Sequence, residues 1–182
     1  MDRGLRTKDF KMGCIHGKLD AKDKNSEAHI QRKVFQGQRL EVCRAREDTL
    51  IIRLIGYEVP IENVRRGRCV DLMGYDADYN LYLIELKKGQ SNEKMGKIIS
   101  QIDNYTKSVK KILRHIEREF KETFFFPIKF SSIKKMILAP REFYTKKKHF
   151  LSDDSIDYGY YRVKDIKEAE LGEITRVHLR KK

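Results

Sequence analysis

The run "LYLIEL", residues 81 to 86, constrains this chain more than any other feature. Side chains alternate along a strand, so Leu81, Leu83, Glu85 and then Lys87 share one face while Tyr82, Ile84 and Leu86 share the other. Such a strand reads as buried, yet it ends in a carboxylate and an ammonium. Upstream, "GRCVDLMGYD" reads as a strand carrying Asp71. "DADYN" reads as a turn, because Asp and Asn tolerate left-handed geometry and bond to their own backbone. With the turn near residues 77 to 79, Asp71 and Glu85 lie almost opposite one another across an antiparallel ladder and converge.

The surrounding pattern predicts a small α/β domain. Asn25 or Ser26 caps a short helix, "SEAHIQRKVFQG", with Ile30, Val34 and Phe35 apolar and Gly37 near its stop. "TLIIRLIGYEVP", residues 49 to 60, is rich in β-branched and aromatic residues, and Pro60 limits its far end. These three strands form an antiparallel meander. From Lys97 to about Glu122, Ile98, Ile102, Tyr105, Val109, Ile112, Ile116 and Phe120 recur at helical spacing. "IKKMILAP", residues 133 to 140, is a short strand, and "DYGYYRVKDI" another; the tail "EITRVHLRKK" alternates and suits a sheet edge. The order predicts a mixed β-sheet flanked by helices. Residues 1 to 24, polar, basic and aperiodic, read as a flexible arm, and 25 to 182 as one domain.

Composition narrows the function classes. No run of about 18 apolar residues appears, so no membrane span is expected, and the N-terminus lacks the apolar segment of a secretory signal. Cys14, Cys43 and Cys69 are odd in number and without CxxC spacing, which suits a reducing cytoplasm better than a disulfide framework or zinc site. There is neither GxxxxGK[ST] nor GxGxxG after a strand, so a nucleotide-driven motor is not expected. A formal net charge of +13 points to a polyanionic partner, most commonly nucleic acid.

Two converging carboxylates repel unless a cation sits between them, and hard oxygen ligands suit Mg²⁺ or Mn²⁺, which keep waters and borrow phosphate oxygens. Lys87 beside them is placed to orient or deprotonate an attacking water. Gln101 and Tyr105, four apart, share one face of the long helix, where an amide can bond a phosphate and a phenol can bond or stack on a nucleotide. Tyr105 equally fits the helix's apolar stripe, with Gln101 as its polar flank.

The arrangement "VDLMG…LYLIELKKG…QIDNY" resembles the PD-(D/E)xK nuclease superfamily, in particular its RecB-like and NucS-like branches. The resemblance covers roughly residues 25 to 140 and implies a restriction-endonuclease-like core. It implies Asp71 and Glu85 as metal ligands, with the Leu86 carbonyl completing the set, Lys87 as the catalytic lysine, and Gln101 and Tyr105 as the helix motif. An acidic residue from the first helix often joins the metal site in such families; Glu27 matches by position, and would hold a further metal-bound water, while Glu58 is its rival. Val70 stands where the superfamily motif has proline. The activity implied is Mg²⁺- or Mn²⁺-dependent hydrolysis of DNA phosphodiesters in repair, recombination or defence, and many relatives cut two strands as homodimers. The alternative is a catalytically inactive nuclease-fold subunit that binds nucleic acid within a larger complex, whose Asp71 and Glu85 would not converge.

Between Thr106 and His149 stand 13 Lys and Arg against 4 Glu. Lys107, Lys110, Lys111, Arg114 and Arg118 recur along the exposed side of the long helix, and Lys146, Lys147 and Lys148 continue the charge. Such a stripe beside the site would track a phosphate backbone. "TFFFP" reads as core or a dimer contact.

Overall fold

The computed structural model describes residues 12–13, 26–43, 49–62, 68–147 and 153–161, together with the backbone of 176–179. Helix α1, Glu27–Gln36, begins where the Ser26 hydroxyl accepts the His29 amide at 3.1 Å, and Gly37 closes it. The strands are β1 (Arg39–Cys43), β2 (Thr49–Pro60), β3 (Cys69–Tyr75) and β4 (Asn80–Leu86), then β5 (Ser132–Pro140), β6 (Ile156–Tyr161) and β7 (Arg176–Leu179). Helix α2, Met95–Phe124, links β4 to β5, and the short α3, Arg141–Thr145, follows β5.

The expected meander is present: β2 pairs antiparallel with β3, and β3 with β4, in the register Leu72↔Ile84. β4 and β5 run parallel, as do β5 and β6. A parallel neighbour demands a long crossover, and α2 supplies it. β1, not foreseen from the sequence, pairs antiparallel with β2. The tail, expected at an edge, pairs on both sides instead: β7 lies antiparallel to β6 and parallel to β1, so the hydrogen-bonded order closes on itself. The sheet is mixed and helices flank it, as the sequence pattern predicts.

Two apolar layers cover the sheet, following the alternation of β4. Tyr82, Ile84 and Leu86 pack with Ile30, Val34 and Phe35 of α1. Leu81 and Leu83 pack with Tyr105, Val109, Ile112 and Ile116 of α2. Full burial of each such aliphatic side chain contributes about 1.5–3 kcal/mol, which is what holds α2 rigidly along the sheet.

Within the segment expected as a flexible arm, the two described residues are packed. Met12 is buried against the α2 layer, and the Gly13 amide donates to the Ile55 carbonyl at 2.9 Å. Gly13 has φ +71, and an added Cβ would lie 3.1 Å from the Phe124 ring, so glycine suits the position twice over. Among the described residues no helix is long and apolar enough to cross a membrane.

Candidate active site

The β3–β4 register, continued one step beyond Leu72↔Ile84, sets Asp71 opposite Glu85 on the face covered by α2. Asp71 is further tied to β4 because its Oδ2 accepts the Leu86 amide at 2.8 Å. The amide and carbonyl of one strand residue leave the chain on the same edge, so the Leu86 carbonyl is directed toward Asp71 as well.

Glu85 is 1 % exposed. Its Oε1 accepts from the Gln101 side-chain amide at 2.8 Å and from the Lys87 ammonium at 2.8 Å. Its Oε2 is buried and has no hydrogen-bond partner. Burial, and next the like charge of Glu85, raises the Asp71 carboxyl well above the usual carboxylate range despite the Leu86 amide. Burial likewise raises Glu85; Lys87 opposes the shift and Glu27 and Glu93 add to it.

Lys87 stands at the centre of a ring of acids. Its ammonium is 2.8 Å from Glu85, 3.0 Å from Glu93 and 3.4 Å from Glu27. Burial works against the charge, but Glu85, Glu27 and Asp71 together outweigh it and hold the ammonium above the ordinary lysine range. These contacts place the ammonium beside both carboxylate-bearing strands, where it can reach a water at the site. The backbone is pinned too: the Lys87 amide donates to the Leu138 carbonyl at 2.8 Å, and the Tyr161 hydroxyl donates to the Lys87 carbonyl at 3.1 Å.

Gln101 and Tyr105 reach this cluster from the second and third turns of α2. The Gln101 amide nitrogen donates to Glu85 and, at 2.6 Å, to the Tyr105 hydroxyl. Both amide hydrogens are thus engaged inside the protein, and Gln101 brackets Glu85. Burial, followed by the Glu85 charge, pushes the Tyr105 phenol up to about 12. Of the rival acids, Glu27 lies against Lys87, whereas Glu58 is exposed and no hydrogen bond or ion pair joins it to the cluster among the described residues.

Glu93 and Tyr161 were not foreseen. Glu93 sits in the polar loop between β4 and α2, also 2.8 Å from Lys97. Burial, the largest single influence, raises its carboxyl, but the hydrogen bonds and charges of Lys97 and Lys87 together outweigh it and lower it. Nothing in a loop sequence signals such a contact, although a Glu four residues before Lys97 at a helix start is a recognisable pair.

The basic stripe occupies a different place from the one expected. Lys107, Lys110, Lys111, Arg114 and Arg118 are all exposed along α2. At 3.6 residues per turn the stripe centres roughly 140° around the helix from Gln101 and Tyr105. It faces away from the cluster instead of bordering it. Lys146 lies nearer, with its ammonium 3.4 Å from the Gly89 carbonyl in the loop after Lys87. The Lys147 ammonium sits 5.4 Å from the Phe143 ring centre, and Lys148 lies outside the described residues.

A divalent cation fits the donor set. Two carboxylates raised by burial, Asp71 also by the charge of Glu85, and one of them with a buried oxygen lacking any partner, gain from a cation between them. Among the described residues no three His, Cys, Asp or Glu side chains are grouped to hold a metal. Two carboxylates, a main-chain carbonyl and waters suit Mg²⁺, which dehydrates reluctantly.

No protein-family model matches the chain, and no curated protein matches it. Among solved structures it is similar to the crystal structure of a repair endonuclease from Pyrococcus abyssi, at 20 % identity and a TM-score of 0.33. The match covers 61 % of this chain and 38 % of that one.

Proposed function

We propose that the chain is a metal-dependent nuclease of the PD-(D/E)xK type that hydrolyses DNA phosphodiester bonds. The observation that carries this reading is the convergence of Asp71, Glu85 and Lys87, with Glu85 bracketed by Gln101. Asp71, the Glu85 Oε2 atom and the Leu86 carbonyl would hold Mg²⁺ or Mn²⁺. Bound there, the cation would supply Lewis acidity that neutralises charge developing on the scissile phosphate.

The protein's own groups do the rest. Lys87, kept protonated by its acidic surroundings, donates hydrogen bonds that orient the attacking water and stabilise negative charge on the phosphate. Glu27 and Glu93 hold the lysine in place from α1 and from the β4–α2 loop. Gln101 fixes the Glu85 carboxylate so that Oε1 faces Lys87 and Oε2 is left for the cation. The Tyr105 hydroxyl accepts from Gln101, which leaves its own proton available to a phosphate oxygen. Burial of the cluster strengthens each of these interactions relative to water.

The inactive binding-subunit reading calls for carboxylates that do not converge, and the β3–β4 register with the Leu86 amide bound to Asp71 argues against it. The test is cleavage of labelled single-stranded, duplex and flapped DNA with Mg²⁺, Mn²⁺ or EDTA. Cutting in either metal and none in EDTA is the expected result; salt-sensitive binding without cutting under any metal would favour the binding subunit.

A further inference from the structure

At the opposite end of β4 from the candidate active site, the surface carries an aromatic groove of about 930 Å³. Tyr75, Tyr79, Phe120, Phe124 and Phe126 line it together with Arg53. The rings form a continuous series. Tyr79 stacks on Tyr75 with centroids 6.4 Å apart and planes 5° from parallel, Tyr75 meets Phe120 edge-on at 5.6 Å, and Phe120 meets Phe124 at 4.6 Å. The segment "TFFFP", which reads from the sequence as core or a dimer contact, is not core: Phe124, Phe125 and Phe126 are 39 %, 91 % and 49 % exposed.

The backbone works to keep rings at this surface. Tyr79 has φ +59 and Phe125 φ +54, a region that glycine enters far more readily than an aromatic residue. Gln38, another groove residue, has φ +52. Three of the four non-glycine residues with positive φ among the described residues therefore line or flank the groove, and strained residues cluster where display of a side chain matters.

We infer that this groove is a second nucleic-acid contact, a stacking platform for unpaired bases of a single-stranded polynucleotide. Aromatic faces accept any base, and neighbouring cations track the phosphates. Arg39 and Arg53 line the groove and are exposed, Arg39 beside Glu41 and Arg53 with no ion-pair partner among the described residues; Asp76, also in the lining, is buried and its carboxylate is taken up by the Asp78 and Asn80 amides. The two arginines argue against a second copy of the chain as the occupant. A two-fold contact would bring the same cationic rim against itself on a molecule of net charge +13. A polyanion meets that rim favourably, and its bases meet the rings. Tyr79 and Lys87 are eight residues apart, which along β4 is roughly 25 Å, so the groove is separate from the candidate catalytic cluster and requires no chemistry there.

The experiment is fluorescence anisotropy of labelled oligo-dT, oligo-rU and a hairpin duplex in EDTA, with wild type, Tyr79→Gly, Phe126→Ala and Arg53→Gln. Glycine suits the Tyr79 backbone, so loss of that ring is separable from misfolding, and circular dichroism checks each variant. Each ring removed is expected to weaken single-strand binding about 5-fold or more while duplex binding holds. Arg53→Gln should reduce the salt slope by about 0.7. Unchanged single-strand affinity in both ring variants would overturn the inference. So would a wild-type dimer in sedimentation that the ring variants convert to monomer, which would make this face an interface between copies.

Discussion

Gln101 donates a 2.8 Å hydrogen bond to the Oε1 atom of Glu85, joining the second turn of α2 to the end of β4. Its other amide hydrogen goes to Tyr105, so one side chain sets both the carboxylate and the phenol. A residue that orients a metal ligand without touching the metal typically contributes 10–100-fold to metal affinity or activity.

Gln101→Ala should therefore reduce cleavage roughly 10–100-fold and raise the Mg²⁺ concentration needed for half-maximal rate. DNA affinity in EDTA should not change. A metal titration of cleavage rate checks this; an unchanged Mg²⁺ midpoint would contradict the bracket role.

The Asp71 carboxyl is raised by burial and by Glu85, which makes its ionisation unfavourable to folding. The penalty is absent below the ordinary carboxylate pKa of about 4, grows as pH rises through the folded value, and is full above it. Asp71→Asn keeps an oxygen for the Leu86 amide and removes the charge. Without metal, thermal unfolding should show the variant more stable than wild type at pH 8 and equal to it near pH 4. Mg²⁺ should stabilise wild type and leave the variant unmoved. A variant less stable than wild type at pH 8 in EDTA would contradict the account.

Lys87 is held above its ordinary range, so its charge contributes stability that is fully present below the unfolded lysine pKa of about 10.4 and is lost only as pH climbs through the higher folded value. The pH–rate profile should accordingly show no alkaline fall from Lys87 between pH 7 and 10. Its acid limb should lie above the usual carboxylate range because Asp71 and Glu85 must ionise, and rising Mg²⁺ should move that limb to lower pH. A lysine-dependent fall near pH 8, absent in Lys87→Arg, would contradict the assignment.

Gly74 tests the strand that carries Asp71. A Cβ there would lie 2.7 Å from the Arg53 carbonyl oxygen and 2.7 Å from Ile52 Cγ2. Gly74→Ala forces β2 and β3 apart and should destabilise by about 1–3 kcal/mol, measured by urea denaturation. An unaffected midpoint would mean that β3 does not approach β2 as described.

The central hairpin was legible because its information is local. A turn at residues 77 to 79 and a period of two fix which residue opposes which, and Leu72↔Ile84 follows. Helix α2 was legible because its apolar stripe is long; the pattern predicts 97 to 122 and the helix runs Met95–Phe124. β1 escaped notice because "RLEVC" is short, and only pairing with β2 makes it a strand. The direction of the basic stripe was implicit in helical geometry, since Lys107 and Tyr105 differ by two positions and so point apart on a helix. Glu93 and Tyr161 reach Lys87 through tertiary contacts from a loop and from a strand 74 residues away. No spacing rule encodes those.

The most direct measurement is single-turnover cleavage of labelled DNA by wild type and Lys87→Ala, with Mg²⁺ and with EDTA, alongside binding of the same DNA in EDTA. Loss of at least roughly 100-fold in cleavage, with binding retained and no cutting by wild type in EDTA, is the predicted result. Equal cleavage by the two proteins, or cutting that survives EDTA, would contradict the assignment of Asp71, Glu85 and Lys87 as the catalytic centre.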